Sequence, residues 1–149
     1  MWNRPGLTVG LLASGLLTSC VEGEVACTAI GCINQLEVSI HPASGTLRSG
    51  AYSVTVKSSD FEKTYSCGVG TSTEPCPTME SPFNDGIVFV RNSLLLKIHQ
   101  VPRSVTITTS RNGKQIDETT LTPAYEPLFP NGVECGAACE QGKAEVVLE

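Results

Sequence analysis

Short runs of apolar residues recur along the chain with a spacing of two. Leu36, Val38 and Ile40 alternate with Glu37 and Ser39, and Tyr52, Val54 and Val56 alternate with Ser53, Thr55 and Lys57. Phe61, Tyr65 and Cys67 share one face of the next run, which Lys63 interrupts. Ile87-Val88-Phe89-Val90 is continuously apolar, as in a strand covered on both faces. Leu94, Leu96 and Ile98 alternate with Lys97 and His99, and Val105 and Ile107 with Thr106 and Thr108. Ile116 and Leu121 mark a further run, and Ala144 to Leu148 the last. Side chains two apart share one face of a strand, so each run predicts a strand with one side toward a core.

Turn residues separate the runs: Pro42-Ala43-Ser44-Gly45, Arg48-Ser49-Gly50 and Asn84-Asp85-Gly86. Asn112-Gly113 is the strongest hairpin signal, because a type I′ turn needs positive φ at both central residues. No apolar stripe at helical spacing extends beyond about two turns. About seven or eight short strands with little helix predict an all-β fold, an antiparallel β-sandwich.

The N-terminal segment follows a different pattern. Arg4 precedes an apolar stretch from Leu7 to Leu17, broken by Gly10 and Gly15. A spanning helix needs about 20 apolar residues, so this stretch has the length of a signal-peptide core. It ends in Leu17-Thr18-Ser19-Cys20, which resembles the bacterial lipobox: an aliphatic residue, two small residues and a cysteine. The resemblance implies cleavage before Cys20, acylation of Cys20 and a membrane as partner through that lipid. One acyl chain binds a bilayer marginally. Two or more anchor it stably, each buried CH₂ contributing about 0.8 kcal/mol. The expected organisation is a signal peptide over 1–19, a lipidated tether over 20–26 and one β-sandwich domain over 27–149. Val21 stands where inner-membrane retention in Gram-negative bacteria uses Asp, which points to the outer membrane of such an envelope.

Seven cysteines are many for 149 residues. With Cys20 assigned to lipid, six remain, an even number that suits disulfides in an oxidising compartment. Cys67 and Cys76 bracket a turn-rich stretch, Gly68 to Pro75, and are expected to pair with each other. Pairing among Cys27, Cys32, Cys135 and Cys139 stays open. A bond between the two ends of the domain is favoured over local pairs, because closing a loop of about 100 residues stabilises by up to roughly 4–5 kcal/mol. The spacings Cys27-x4-Cys32 and Cys135-x3-Cys139 are loosely compatible with a four-thiolate zinc site, but the tight C-x2-C pairs are missing and exported thiols oxidise. No metal is expected.

Charge and motifs remove further classes. The net charge is -5, with no cluster of Lys and Arg, which argues against nucleic acid. His41 and His99 form no spaced pair and read as solvated surface residues. Gly-x-Ser-x-Gly and a Gly-rich phosphate loop are both absent, and Asn84-Asp85-Gly86 lacks the repeated oxygen ligands of a calcium loop. No catalytic residue and no cofactor are expected, so the chain does not read as an enzyme. Glu22, Glu24, Glu134 and Glu140 read as a solvated acidic rim. Tyr125-Glu126-Pro127-Leu128-Phe129-Pro130-Asn131-Gly132 reads as a proline-stiffened loop. Its Tyr125 and Phe129 are candidate partner contacts, since aromatics dominate interface hot spots. The competing expectation is that Leu128 and Phe129 plug an open end of the sandwich.

Two further resemblances concern the fold. Ser49-Gly50-Ala51-Tyr52-Ser53-Val54-Thr55-Val56 resembles the G-x-Y-x-V-x-V strand of transthyretin-like and carboxypeptidase-regulatory-like sandwiches. Val105 to Leu121 with its hairpin, followed by Pro123-Ala124-Tyr125, fits the same pattern. The Cys27-x4-Cys32 pair, Pro130-Asn131-Gly132 and Cys135-Gly136-Ala137-Ala138-Cys139 resemble bacterial lipoproteins of myxobacterial type. These imply an immunoglobulin-like or transthyretin-like sandwich and carry no activity with them. The expected function is a surface- or periplasm-facing lipoprotein of the cell envelope, with a non-catalytic structural or binding role toward an envelope protein or ligand. The alternative is an envelope hydrolase or protease inhibitor whose site is built from scattered residues.

Overall fold

The computed structural model describes residues 31–78, 84–136 and 139–149. Among these residues nine strands follow one another: β1 (Gln35–Pro42), β2 (Gly50–Lys57), β3 (Glu62–Val69), β4 (Gly86–Val90), β5 (Ser93–Ile98), β6 (Val105–Arg111), β7 (Lys114–Leu121), β8 (Tyr125–Leu128) and β9 (Cys139–Leu148). One 3-10 turn, η1 (Val133–Cys135), is the only helical element among the described residues. The strands form a five-stranded sheet in the order β4-β5-β1-β9-β8 and a four-stranded sheet in the order β3-β2-β6-β7. The fold is therefore an all-β sandwich, stapled by disulfides.

The alternating runs lie in these strands with their apolar positions inward. Leu36, Val38 and Ile40 of β1, Leu94, Leu96 and Ile98 of β5, and Val146 and Leu148 of β9 supply the core from one sheet. Tyr52, Val54 and Val56 of β2, Cys67 and Val69 of β3, and Val105 and Ile107 of β6 meet them from the other. Ile40, Val54, Leu96 and Ile107 are fully enclosed. Burying one such aliphatic side chain contributes roughly 1.5–3 kcal/mol. The alternation is legible because a strand with one solvated face must be polar at every second residue.

One pairing breaks the antiparallel rule. β1 runs parallel to β9, from Gln35 opposite Gln141 to Pro42 opposite Leu148, and antiparallel to β5 on its other side. The first and last strands thus lie side by side in the middle of the larger sheet.

The hairpin at Asn112-Gly113 forms as a two-residue turn, with φ of 51° and 76° and Arg111 opposite Lys114. A register shift then places Asp117 opposite Thr109 and Gln115 opposite Ser110, leaving Ile116 as the extra residue of a bulge. A second turn of this kind joins β4 to β5 through Arg91 and Asn92, both at positive φ. Through its asparagine the Arg91-Asn92 turn reaches the β1–β2 connection and the Asn112-Gly113 turn the start of β2. Asn92 Oδ1 accepts from the Leu47 N–H at 2.6 Å and Asn112 Oδ1 from the Ala51 N–H at 2.9 Å. The two hairpins therefore hold the connection between the sheets at this end.

β4, continuously apolar, sits at a sheet edge, and its adjacent residues Ile87 and Val88, which face opposite sides, are both buried, as the run predicted. Its edge is covered in part where the Phe89 N–H donates to the Pro77 carbonyl at 2.8 Å. Residues 125–128, expected as loop, form the edge strand β8, antiparallel to β9. An edge strand tolerates Pro127 because a missing N–H costs least where one side has no neighbour to bond.

Candidate functional site

The polar and exposed features gather at the end of the sandwich where β1 and β9 begin. A disulfide joins Cys32 to Cys139, with their Cα atoms 5.7 Å apart, and so ties the entry of the chain to the first residue of β9. A second joins Cys67 to Cys76. The nine-residue loop that it closes is also bonded through Gly68, whose N–H donates to the Glu74 carbonyl and whose carbonyl accepts from the Cys76 N–H. Cys135 is disulfide-bonded as well. Cys20 and Cys27 lie outside the described residues, as do the signal segment and the whole tether.

Asp85, in the turn before β4, organises the open edge between the sheets. Its carboxylate accepts from Lys63 Nζ at 2.5 Å and the Tyr65 hydroxyl at 3.3 Å, both from β3 in the other sheet. It also accepts from the His99 backbone N–H at 2.7 Å and lies 3.1 Å from His99 Nδ1. Burial pushes the Asp85 carboxyl up, but the hydrogen bonds from Lys63 and the His99 N–H, the Lys63 charge and the Tyr65 hydroxyl outweigh it. The carboxyl is held below its ordinary value. Burial and the neighbouring Asp85 charge push the Tyr65 hydroxyl well above its ordinary value.

The His99 ring differs from the solvated residue that its strand pattern suggested. Its side chain is only 15% exposed, drawn in by Asp85, and its Nε2 is buried with no partner among the described residues. It lines a shallow cavity of about 420 Å³ with Asn34, Asp60, Phe61, Val101 and Pro102. His41 is half-buried, with Nδ1 3.3 Å from the Pro42 carbonyl. A carboxylate–imidazole pair can orient a ring nitrogen for proton transfer, but here Nε2 is buried and no hydroxyl among the described residues is bonded to it. Among the described residues no group of three His, Cys, Asp or Glu side chains could hold a metal.

The proline-stiffened segment divides into a structural part and an exposed part. The Tyr125 hydroxyl donates to the Pro102 carbonyl at 2.9 Å, and its ring packs on Gly142, where a Cβ would lie 2.7 Å from the ring carbons. Burial and the charge of Glu140 push that hydroxyl up to about 12. Tyr125 thus helps to close the β8–β9 pair. Leu128 and Phe129 do not plug the end of the sandwich. They are 37% and 39% exposed, and Val133 of η1 is 73% exposed. The connection is a compact one: the Gly132 N–H donates to the Phe129 carbonyl and the Gly136 N–H to that of Val133.

The opposite end holds a smaller cavity of about 220 Å³, bordered by Arg48, Tyr52, Arg111, Ile116 and Leu148. Tyr52 closes its floor by donating its hydroxyl to the Arg48 carbonyl at 2.8 Å. Neither the Asp85 cluster nor the exposed edge of 128–133 was singled out whole by the sequence. The cluster joins residues 14 to 22 positions from Asp85 across two sheets, and Asp85 alone reads as a turn residue. Compared with protein families, curated proteins and solved structures, the chain matches none.

Proposed function

We propose that the chain is an exported lipoprotein, acylated on Cys20, that presents its β-sandwich at the cell envelope in a non-catalytic structural or binding role. The observation that carries this reading is Leu17-Thr18-Ser19-Cys20 placed directly behind an apolar stretch of signal-peptide length. Val21 favours the outer membrane where the envelope is Gram-negative. The disulfide state of the domain supports the reading. Cys32, Cys67, Cys76, Cys135 and Cys139 are all oxidised, as suits an exported protein. With Cys20 taken by lipid, Cys27 is the one thiol left to bond Cys135.

Expression in a bacterial host with labelled palmitate tests the anchor. Wild type incorporates label and is processed to a chain beginning at Cys20, while Cys20→Ser stays unlabelled and keeps its signal segment. Equal labelling of the two chains refutes the reading.

A further inference from the structure

We infer that the β8–β9 connection, through Leu128, Phe129 and Val133, rests in the surface of the bilayer that holds Cys20. This inference rests on the acylation proposed above. Among the described residues four large hydrophobic side chains are exposed, and three of them fall between positions 128 and 133. They sit at the end of the domain to which the tether leads. Leu128 pairs with Cys139, and Cys139 is bonded to Cys32.

The length of the tether then sets the reach. Eleven residues from Cys20 to Gly31 span at most about 40 Å. A bond from Cys27 to Cys135 shortens this to seven residues, about 25 Å, ending on η1 beside Val133. Such a tether keeps the patch within about 25–40 Å of the lipid. That raises its effective concentration at the bilayer without any new contact.

The chemistry suits an uncharged headgroup region. No Lys or Arg occurs between Glu126 and Gly142, while Glu126, Glu134 and Glu140 are exposed around the patch. The carboxylates stay in water and the apolar tips enter the headgroup–acyl boundary, to a depth of about 5–10 Å in such attachments. Attraction to anionic lipid plays no part.

The single tryptophan of the chain is Trp2, within the signal segment, so the mature lipoprotein has none. Phe129→Trp therefore supplies a unique fluorophore at an exposed position. The acylated, disulfide-bonded variant is placed on phosphatidylcholine vesicles with bromine on the acyl chains near the headgroup. The expected result is a blue-shifted emission and roughly twofold or greater quenching at this depth. Ser44→Trp, exposed at the far end of the sandwich, should show neither. Mass analysis and vesicle flotation report acylation separately. An acylated, floating chain whose Phe129→Trp emission matches that of Ser44→Trp overturns this inference and leaves the anchor standing. An unacylated chain that does not float overturns both. Protein adducts from a photocrosslinker at position 129 in native envelopes, without bromine quenching, would assign the patch to a protein partner and overturn the bilayer.

Discussion

Asp85 shows how one side chain holds two sheets together. Its partners come from β3 and from the end of β5, and only an ionised carboxylate can accept from all of them. Lys63 is the leading cause holding the carboxyl low, but it is 40% exposed, so solvent screens part of its share, and the His99 N–H and then the Tyr65 hydroxyl add to it. Asp85→Asn should cost roughly 1–2 kcal/mol at neutral pH, because it leaves polar groups unmatched. The sign of the pH dependence follows from the depressed carboxyl. Its stabilisation is present above the unfolded value, about 3.9 for Asp, and is lost as pH falls through the lower folded value. Urea unfolding of wild type and Asp85→Asn should therefore show a gap at neutral pH that closes in acid. A gap independent of pH would mean that the carboxylate charge is not its source. None of this was readable at the residue. Asn84-Asp85-Gly86 carries a turn signal, and His99 falls where alternation predicts a solvated side chain. Both assignments are local, while the cluster depends on how two sheets meet.

Among the elements, alternation and turn chemistry were legible wherever one face of a strand is dry and the other wet. Leu36-x-Val38-x-Ile40 and Tyr52-x-Val54-x-Val56 are inward in the structure for that reason. The Asn112-Gly113 hairpin was legible because few residues accept positive φ. The Arg91-Asn92 turn has the same geometry but not the same signature. Arginine seldom adopts φ of 46°, and Asn92 offsets the strain by bonding Leu47 and Gly45 through its amide. β8 was hidden because Pro127 and Pro130 suppress a strand assignment, although an edge strand admits proline. The hairpin offers a clean test, since a Cβ at Gly113 would meet nothing within 4 Å. Any cost of substitution there is conformational. Gly113→Val should lose about 1–2 kcal/mol, because a β-branched residue disfavours the left-handed region, while Gly113→Asn should lose clearly less. Thermal melts of the three chains check the order. Equal melting of the valine and asparagine variants would show that positive φ at this position does not limit stability.

Across the whole molecule, the unusual feature is that the first and last strands are neighbours. β1 and β9 run parallel through the centre of one sheet, and the Cys32–Cys139 bond closes the chain just ahead of them. Neither strand could have announced this. A strand buried on one face carries the same alternation whether its neighbour is parallel or antiparallel, and the pairing of the terminal cysteines stayed open in the sequence. The two described disulfides differ in what they restrict. Cys32–Cys139 spans 107 residues and Cys67–Cys76 spans 9. In the chain-entropy account the long closure stabilises by about 4–5 kcal/mol and the short one by roughly 2.5–3 kcal/mol. Cys67 at 5%, Cys76 at 8% and Cys139 at 5% exposed are buried, while Cys32 is half-buried, so packing lost on replacement by alanine does not favour the long bond. Cys27 and Cys135 also lie one near each end, so the comparison is made in a Cys27→Ala, Cys135→Ala background, where Cys32→Ala with Cys139→Ala should cost about 1–2 kcal/mol more than Cys67→Ala with Cys76→Ala. It should also raise the denaturant dependence of unfolding, because the freed ends let the unfolded chain expand. Urea titrations of the two variants against that background chain measure both quantities. If the short-loop variant proves the weaker one, local order around Gly68 matters more than chain closure, and the parallel β1–β9 pair holds the ends of the domain without help from the disulfide.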